Sequence, residues 1–198
     1  MTGVVDYGLG NLFSLHNALK YLGIPFKAVL SPSDAQGAER LILPGVGAFP
    51  EGMRRLRESG MAELLRESKI PLLGICLGMQ LLFDESGEFG STEGLGLIPG
   101  NVVRLPQGAR IPHMGWNALV YTGESPLFCG VPEGSFVYFV HSYRAQTGRE
   151  YVSAACDYAG ETVAAVRSQS VYGVQFHPEK SGSSGLKILK NFCEGEAV

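Results

Sequence analysis

The sequence predicts an α/β fold built as one domain over residues 1–198. A mostly parallel central sheet carries helices on both faces, and the second half extends it with antiparallel or mixed strands. Two observations carry this expectation. In the first half, short apolar runs alternate with segments of helical spacing, the β-α-β rhythm of parallel strands. After Phe83 the helical spacing stops, and short strands separated by turn residues dominate until a last amphipathic stretch. Composition agrees, since 45% apolar and 18% charged residues in 198 suffice for a full core without metal or disulfides.

The elements follow in order. Gly3 to Tyr7 reads as the first strand, and Leu12, Leu15, Leu19 and Leu22 mark a helical face from Asn11 to Leu22 that Gly23 can cap. Pro25 to Leu30 is a second strand, Ser31 to Glu39 a polar loop, and Arg40 to Leu43 a third strand, stopped by Pro44-Gly45-Val46-Gly47. A helix bearing Met53, Leu56, Leu64 and Leu65 breaks near Gly60. Pro71 to Ile75 is apolar throughout, as a strand buried on both faces must be. From Leu77, the spacing of Gln80, Leu81 and Leu82 suits a helix. Glu85 to Gly100 is glycine-rich and carries no helix. Strands are expected at 101–105, 117–121, 135–140, 151–157, 162–168 and 171–176. A final helix over about 184–193 buries Leu186, Ile188, Leu189 and Phe192, with a serine able to cap it.

The chemistry centres on Gly74-Ile75-Cys76-Leu77-Gly78, the thiol counterpart of the G-x-S-x-G nucleophile elbow. Strand must turn to helix so tightly there that side chains at the two glycine positions would collide. A thiol at that tip sits at a helix N-terminus, which favours thiolate. On its own the motif favours a buried cysteine between glycines; the downstream histidine reverses that preference. His177 ends the strand 171–176 and is followed by Pro178-Glu179. Alternation along a strand would aim His177 and Glu179 the same way, with Pro178 stiffening the pair. That supplies nucleophile, base and orienter. In open parallel sheets the site lies beyond the carboxyl ends of the strands, where both Pro44-Gly45-Val46-Gly47 and Cys76 fall.

Other chemistries find less support. Gly8-Leu9-Gly10 lacks the third glycine and the acidic residue of a dinucleotide site. No C-x-x-C or H-x-x-x-H pair exists, so no metal and no cofactor are expected. A net charge of −3 without a basic run argues against nucleic acid. No stretch reaches the ~20 apolar residues of a membrane span. Four scattered cysteines and no apparent secretory signal lead us to expect a reduced, cytoplasmic protein.

Gly74 to Gln80 followed downstream by Gln175-Phe176-His177-Pro178-Glu179 resembles the class I (triad) glutamine amidotransferases over nearly the whole chain. Their fold is flavodoxin-like. The opening Asp6-Tyr7-Gly8-Leu9-Gly10-Asn11-Leu12, Pro44 to Phe49, Pro112 to Asn117 and His177 to Gly182 further resemble the glutaminase subunits of imidazole glycerol phosphate synthases, enzymes of histidine biosynthesis. The resemblance implies a nucleophile at Cys76, a base at His177 and an orienter at Glu179, acting on L-glutamine through a cysteinyl thioester. It implies an oxyanion hole from the backbone of Leu77 and of Gly45, Val46 and Gly47. Gln80, Glu88, His141, Ser142 and Tyr143 correspond to substrate contacts. Ammonia would pass to a (β/α)₈-barrel cyclase subunit in a heterodimer, docked through Asn11, His113, Met114, Trp116, Asn117, Tyr138 and Lys180. For Trp116 core packing, and for Lys180 a solvated surface position, are alternative roles. Three rivals stay open: a glutaminase serving another synthase, a cysteine peptidase or chaperone on a similar sheet, and a non-catalytic subunit.

Overall fold

The chain is described from a computed structural model covering residues 1–195. Its first half comprises β1 (Thr2–Val5), α1 (Leu12–Tyr21), β2 (Phe26–Val29), β3 (Arg40–Gly45), α2 (Phe49–Glu58), α3 (Met61–Glu67), β4 (Leu72–Cys76) and α4 (Leu77–Gln80). Strands then dominate: β5 (Glu85–Ser86), β6 (Thr92–Glu93), β7 (Asn101–Arg104), β8 (His113–Ala118), β9 (Val120–Tyr121), β10 (Phe136–His141), β11 (Tyr143–Gln146), β12 (Val152–Asp157), β13 (Glu161–Ser168) and β14 (Val171–Val174). Helix α5 (Gly182–Glu194) follows.

Eight strands form the main sheet in the order β2-β1-β3-β4-β14-β13-β12-β9. The first five run parallel, and the last three join antiparallel. This is the expected parallel sheet with its antiparallel extension. Alternation sorts the buried strand residues between two cores. Ile42, Leu73 and Ile75 face Leu15, Leu19, Ile188 and Phe192 on one side. Leu41, Leu43 and Leu72 face Met53, Leu56 and Met61 on the other. Both sheet faces are covered, which is why these strands are continuously apolar.

Three expectations change. The strand expected at 117–121 is two strands, and Ile111 to Asn117, taken as a loop, contributes most of β8. That strand pairs with β10 as a separate ribbon, Tyr138 opposite Trp116 and His141 opposite His113. Its pairing is non-local, and Pro112 and Gly115 disguise its alternation. The helix after Cys76 lasts one turn, because the segment after Glu93 returns to take its carbonyls: Leu95 N–H donates to Leu81 O, and Leu97 N–H to Leu82 O. Strand β11, missed in the sequence, pairs with β7 in a small sheet that also holds β5 and β6.

Candidate active site

Cys76 ends β4 with its backbone at φ 55°, ψ −109°, a left-handed conformation an L-residue adopts only under strain. The flanking glycines make it sterically achievable. A Cβ on Gly74 would lie 2.6 Å from Gly78 O, and one on Gly78 would lie 1.8 Å from Leu43 O. Gly45, the last residue of β3, is in register with Cys76. The loop Gly45-Val46-Gly47 thus leaves the sheet beside the thiol, with Gly47 at φ 107° and Val46 exposed.

His177 arrives from β14, the strand on the other side of β4. Its Nδ1 lies 2.8 Å from Glu179 Oε1, and both side chains are buried. The pair meets as expected, though by another route. β14 ends at Val174, and Pro178–Lys180 form a 3₁₀ turn that folds the carboxylate back onto the ring. Two bonds pin this turn to β10: His177 N–H donates to Tyr138 O at 2.9 Å, and Tyr138 N–H to Ser181 Oγ at 2.9 Å. Ser181 therefore anchors β10 at the start of α5 rather than capping that helix with its side chain.

Cys76, Leu77, Val46, Gly47, Gln80, Glu88, His141, Ser142, Tyr143 and His177 line one cavity of about 290 Å³. Gly45 and Glu179 lie behind it, against Pro44 and Ile75. Of the other two lining residues, Pro112 stood in the Pro112–Asn117 stretch with no site role expected of it, and Val140 carried no signal in the sequence. Glu88 reaches the start of α2, where its Oε2 accepts from Phe49 N–H at 2.7 Å and fixes the far end of the Gly45–Gly47 loop. Gln80 is tied inward, its Nε2 donating to Tyr143 O and to Gln175 Oε1, each at 3.0 Å. His141 rests between Tyr143 O, 2.8 Å from Nδ1, and His113 Nδ1, 2.9 Å from Nε2. Among the described residues, no cluster of three or more His, Cys, Asp or Glu is placed to hold a metal.

The two buried histidines at the cavity respond oppositely to their surroundings. Burial alone would lower the His177 pKa, but hydrogen bonds and charges from Cys76 and Glu179 outweigh it and raise the pKa. His141 is pushed down to about 4, by burial first and then by His113 and His177, against its bond to Tyr143. A histidine with a lowered folded pKa takes up fewer protons folded than unfolded, so stability falls as pH drops from 6.5 towards about 4. His177 has the opposite sign: its contribution is complete below 6.5 and is lost only as pH rises through its folded value. The Glu51 carboxylate, held low by Arg54 and Arg55, loses its contribution only below 4.5. Denaturant titrations should therefore show stability declining between pH 6.5 and 4.5, by on the order of 1–2 kcal/mol, with His141→Gln flattening the slope. An unchanged slope in the variant would assign the decline to other groups.

The residues expected to dock a partner divide. Met114, Trp116 and Tyr138 share the outer face of the β8–β10 ribbon, with Trp116 packed edge-on against Tyr138 at 5.9 Å. Met114 and Trp116 are 63% and 52% exposed, which rules out core packing for Trp116, and Phe136 on the same face is 60% exposed. Lys180 is exposed. His113 corrects the expectation: alternation turns it inward, 1% exposed, stacked on Tyr158 at 3.7 Å and bonded to Asn117. Asn117 itself is half-buried and also donates to Asp157 O at 3.0 Å. Asn11 is half-buried and caps α1, accepting from Ser14 N–H at 3.4 Å.

Comparison with known proteins agrees with this geometry. Residues 3–195 match the family described as glutamine amidotransferase class-I. The imidazole glycerol phosphate synthase subunit HisH of Caldanaerobacter subterraneus subsp. tengcongensis is 50% identical, covering 98% of each chain. Its counterpart from Geobacillus sp. (strain WCH70) is 52% identical, over 98% of this chain and 96% of the relative. A solved glutamine amidotransferase structure superposes with a TM-score of 0.77 at 24% identity, over 98% of this chain and 97% of that one. The structure of PurLQS from Thermotoga maritima gives 0.74 at 21% identity, over 96% of each chain. At such identities both structures speak to the fold alone. An elbow cysteine, a histidine–carboxylate pair delivered by the neighbouring parallel strand, and likeness along almost its whole length establish that the chain belongs to the class I glutamine amidotransferase family.

Proposed function

We propose that this chain is the glutaminase subunit of an imidazole glycerol phosphate synthase, which hydrolyses L-glutamine at Cys76 and passes ammonia to a (β/α)₈-barrel cyclase subunit. One observation carries the chemistry: nucleophile, base and a glycine-rich loop beside the nucleophile open onto a single cavity. Cys76 Sγ attacks the side-chain amide carbon, and its proton goes to His177. The oxyanion is held by N–H groups of Leu77 and of the Gly45–Gly47 loop. Collapse expels ammonia, which takes the proton from His177 and leaves a glutamyl thioester. His177 then deprotonates water, which attacks the thioester to give glutamate and regenerate the thiol. Glu179 fixes the ring tautomer and balances the imidazolium.

Glu179→Gln keeps the shape of the pair but cannot balance charge. We expect glutamate release to fall roughly 10²–10⁴-fold with little change in KM. A loss below about tenfold would remove Glu179 from the triad.

The exposed apolar face of Met114, Trp116 and Phe136 supports docking of a partner there. Tyr138, whose backbone bonds the His177 turn, joins that face to the site. Val46 and Gly47 stand exposed at the cavity, so their peptides can be reset when a partner binds. The test measures glutamate released by the chain alone and with a cyclase subunit plus its nucleotide ligand, beside a Cys76→Ala control. Release only in the liganded pair, absent from the control, is the expected result. High release by the lone chain would discard the gating. No release in any mixture would overturn the assignment.

A further inference from the structure

Gln175 is fully buried two residues before His177 and takes no part in the thioester chemistry. Its side chain nevertheless ends a relay that reaches the nucleophile. Tyr143 O accepts from Gln80 Nε2 at 3.0 Å, the same nitrogen donates to Gln175 Oε1 at 3.0 Å, and Gln175 Nε2 lies 3.8 Å from Cys76 Sγ as donor. The polarity is fixed by the one member that cannot change. A peptide carbonyl only accepts, so Gln80 must turn its nitrogen towards Tyr143. The second proton on that nitrogen then requires Gln175 to present oxygen. Flipping either amide would set oxygen against oxygen or nitrogen against nitrogen. The Gln175 N–H is thereby forced onto sulfur, with its backbone held by a 2.8 Å bond from its own N–H to Ala164 O.

We propose that Gln175 is a positioning residue, which uses this relay to hold the Cys76 sulfur as a hydrogen-bond acceptor. A thiolate gains from such a donor and a thiol gains little, so the contact favours the attacking form and again the sulfur that leaves when the thioester is hydrolysed. Because the relay begins at Tyr143, on the wall of the cavity, the same bonds tie the substrate wall to the nucleophile. The inference rests on Cys76 being the nucleophile.

The test is the pH dependence of Cys76 alkylation by iodoacetamide, with glutamate release from the complex measured in parallel. Gln175→Glu keeps the acceptor for Gln80 but replaces the donor with a carboxylate, while Gln175→Met fills the space with no donor. The alkylation profile should move to higher pH in both, by about one unit or more for the glutamate variant. For that variant kcat should fall roughly 10–100-fold, with KM changing less than about threefold. Should Gln175→Glu fail to fold, as judged by circular dichroism, the methionine variant decides alone. In the unsubstituted protein, the side-chain amide resonance of Gln175 should shift when Cys76 is alkylated. Profiles matching the unsubstituted protein, or a resonance indifferent to alkylation, would overturn the proposal and leave Gln175 a packing residue. An alkylated Cys76 with undiminished glutamate release would instead defeat the assignment of the nucleophile, a different failure.

Discussion

A Cys76→Gly chain is expected to lose glutamate release entirely and yet to unfold at a higher temperature than a Cys76→Ala chain. Both substitutions remove the sulfur, so any thioester pathway closes and activity falls by something on the order of 10⁴-fold or more. Only glycine, however, accepts φ 55° and ψ −109° without a Cβ penalty. Backbone strain at such positions costs on the order of 1–3 kcal/mol, and glycine should recover about 1–2 of it. For a domain of this size that raises the midpoint by about 2–5 °C. Comparing glycine with alanine, rather than with cysteine, cancels the packing lost with the thiol, which is otherwise buried in the core. If the glycine chain were no more stable than the alanine chain, the elbow would hold Cys76 without strain.

The tight turn behind that strain was legible from the sequence because its causes are local. Two glycines two positions either side of a cysteine, after a fully apolar run, leave one way to turn from strand to helix. His177-Pro178-Glu179 was legible for the same reason, although the 3₁₀ turn that brings the two side chains together differs from the strand alternation expected of it. The central parallel strands β3 and β4 announced themselves because both faces are covered and nothing polar interrupts them after Arg40. What stayed hidden depends on distant partners. β8 looked like a loop until β10 paired with it, and His113 looked like a surface residue until that pairing set which way it points. The length of α4 is decided by carbonyl partners more than a dozen residues downstream. Gln175 opens the Gln175–Glu179 motif, but no role for its side chain shows until Gln80, 95 residues earlier in the chain, hands it a proton donor.

Gly78→Ala should show how much of the fold depends on the closeness of the elbow. An alanine Cβ there would lie 1.8 Å from Leu43 O and 2.8 Å from Leu43 C, both backbone atoms of β3. No rotamer change relieves a clash with backbone. Either α4 lifts away from the sheet or β3 shifts in a strand order where β1 and β4 hold it on both sides. We expect a loss of roughly 3–5 kcal/mol or more, a large share of the stability of an ordinary domain. Gly87→Ala is the matched control. A Cβ there meets nothing within 4 Å, and its φ is not in the left-handed range, so stability should change by no more than about 0.5 kcal/mol. Denaturant unfolding of the two chains side by side separates the explanations. If Gly78→Ala unfolded like Gly87→Ala, α4 and β3 would tolerate a wider separation, and Leu77 would no longer be held close enough to β3 for the oxyanion hole proposed between it and the Gly45–Gly47 loop. A large loss for Gly78 alone would mean that the backbone approach positioning Cys76 also closes the sheet, so this fold cannot relax its candidate active site without unfolding around it.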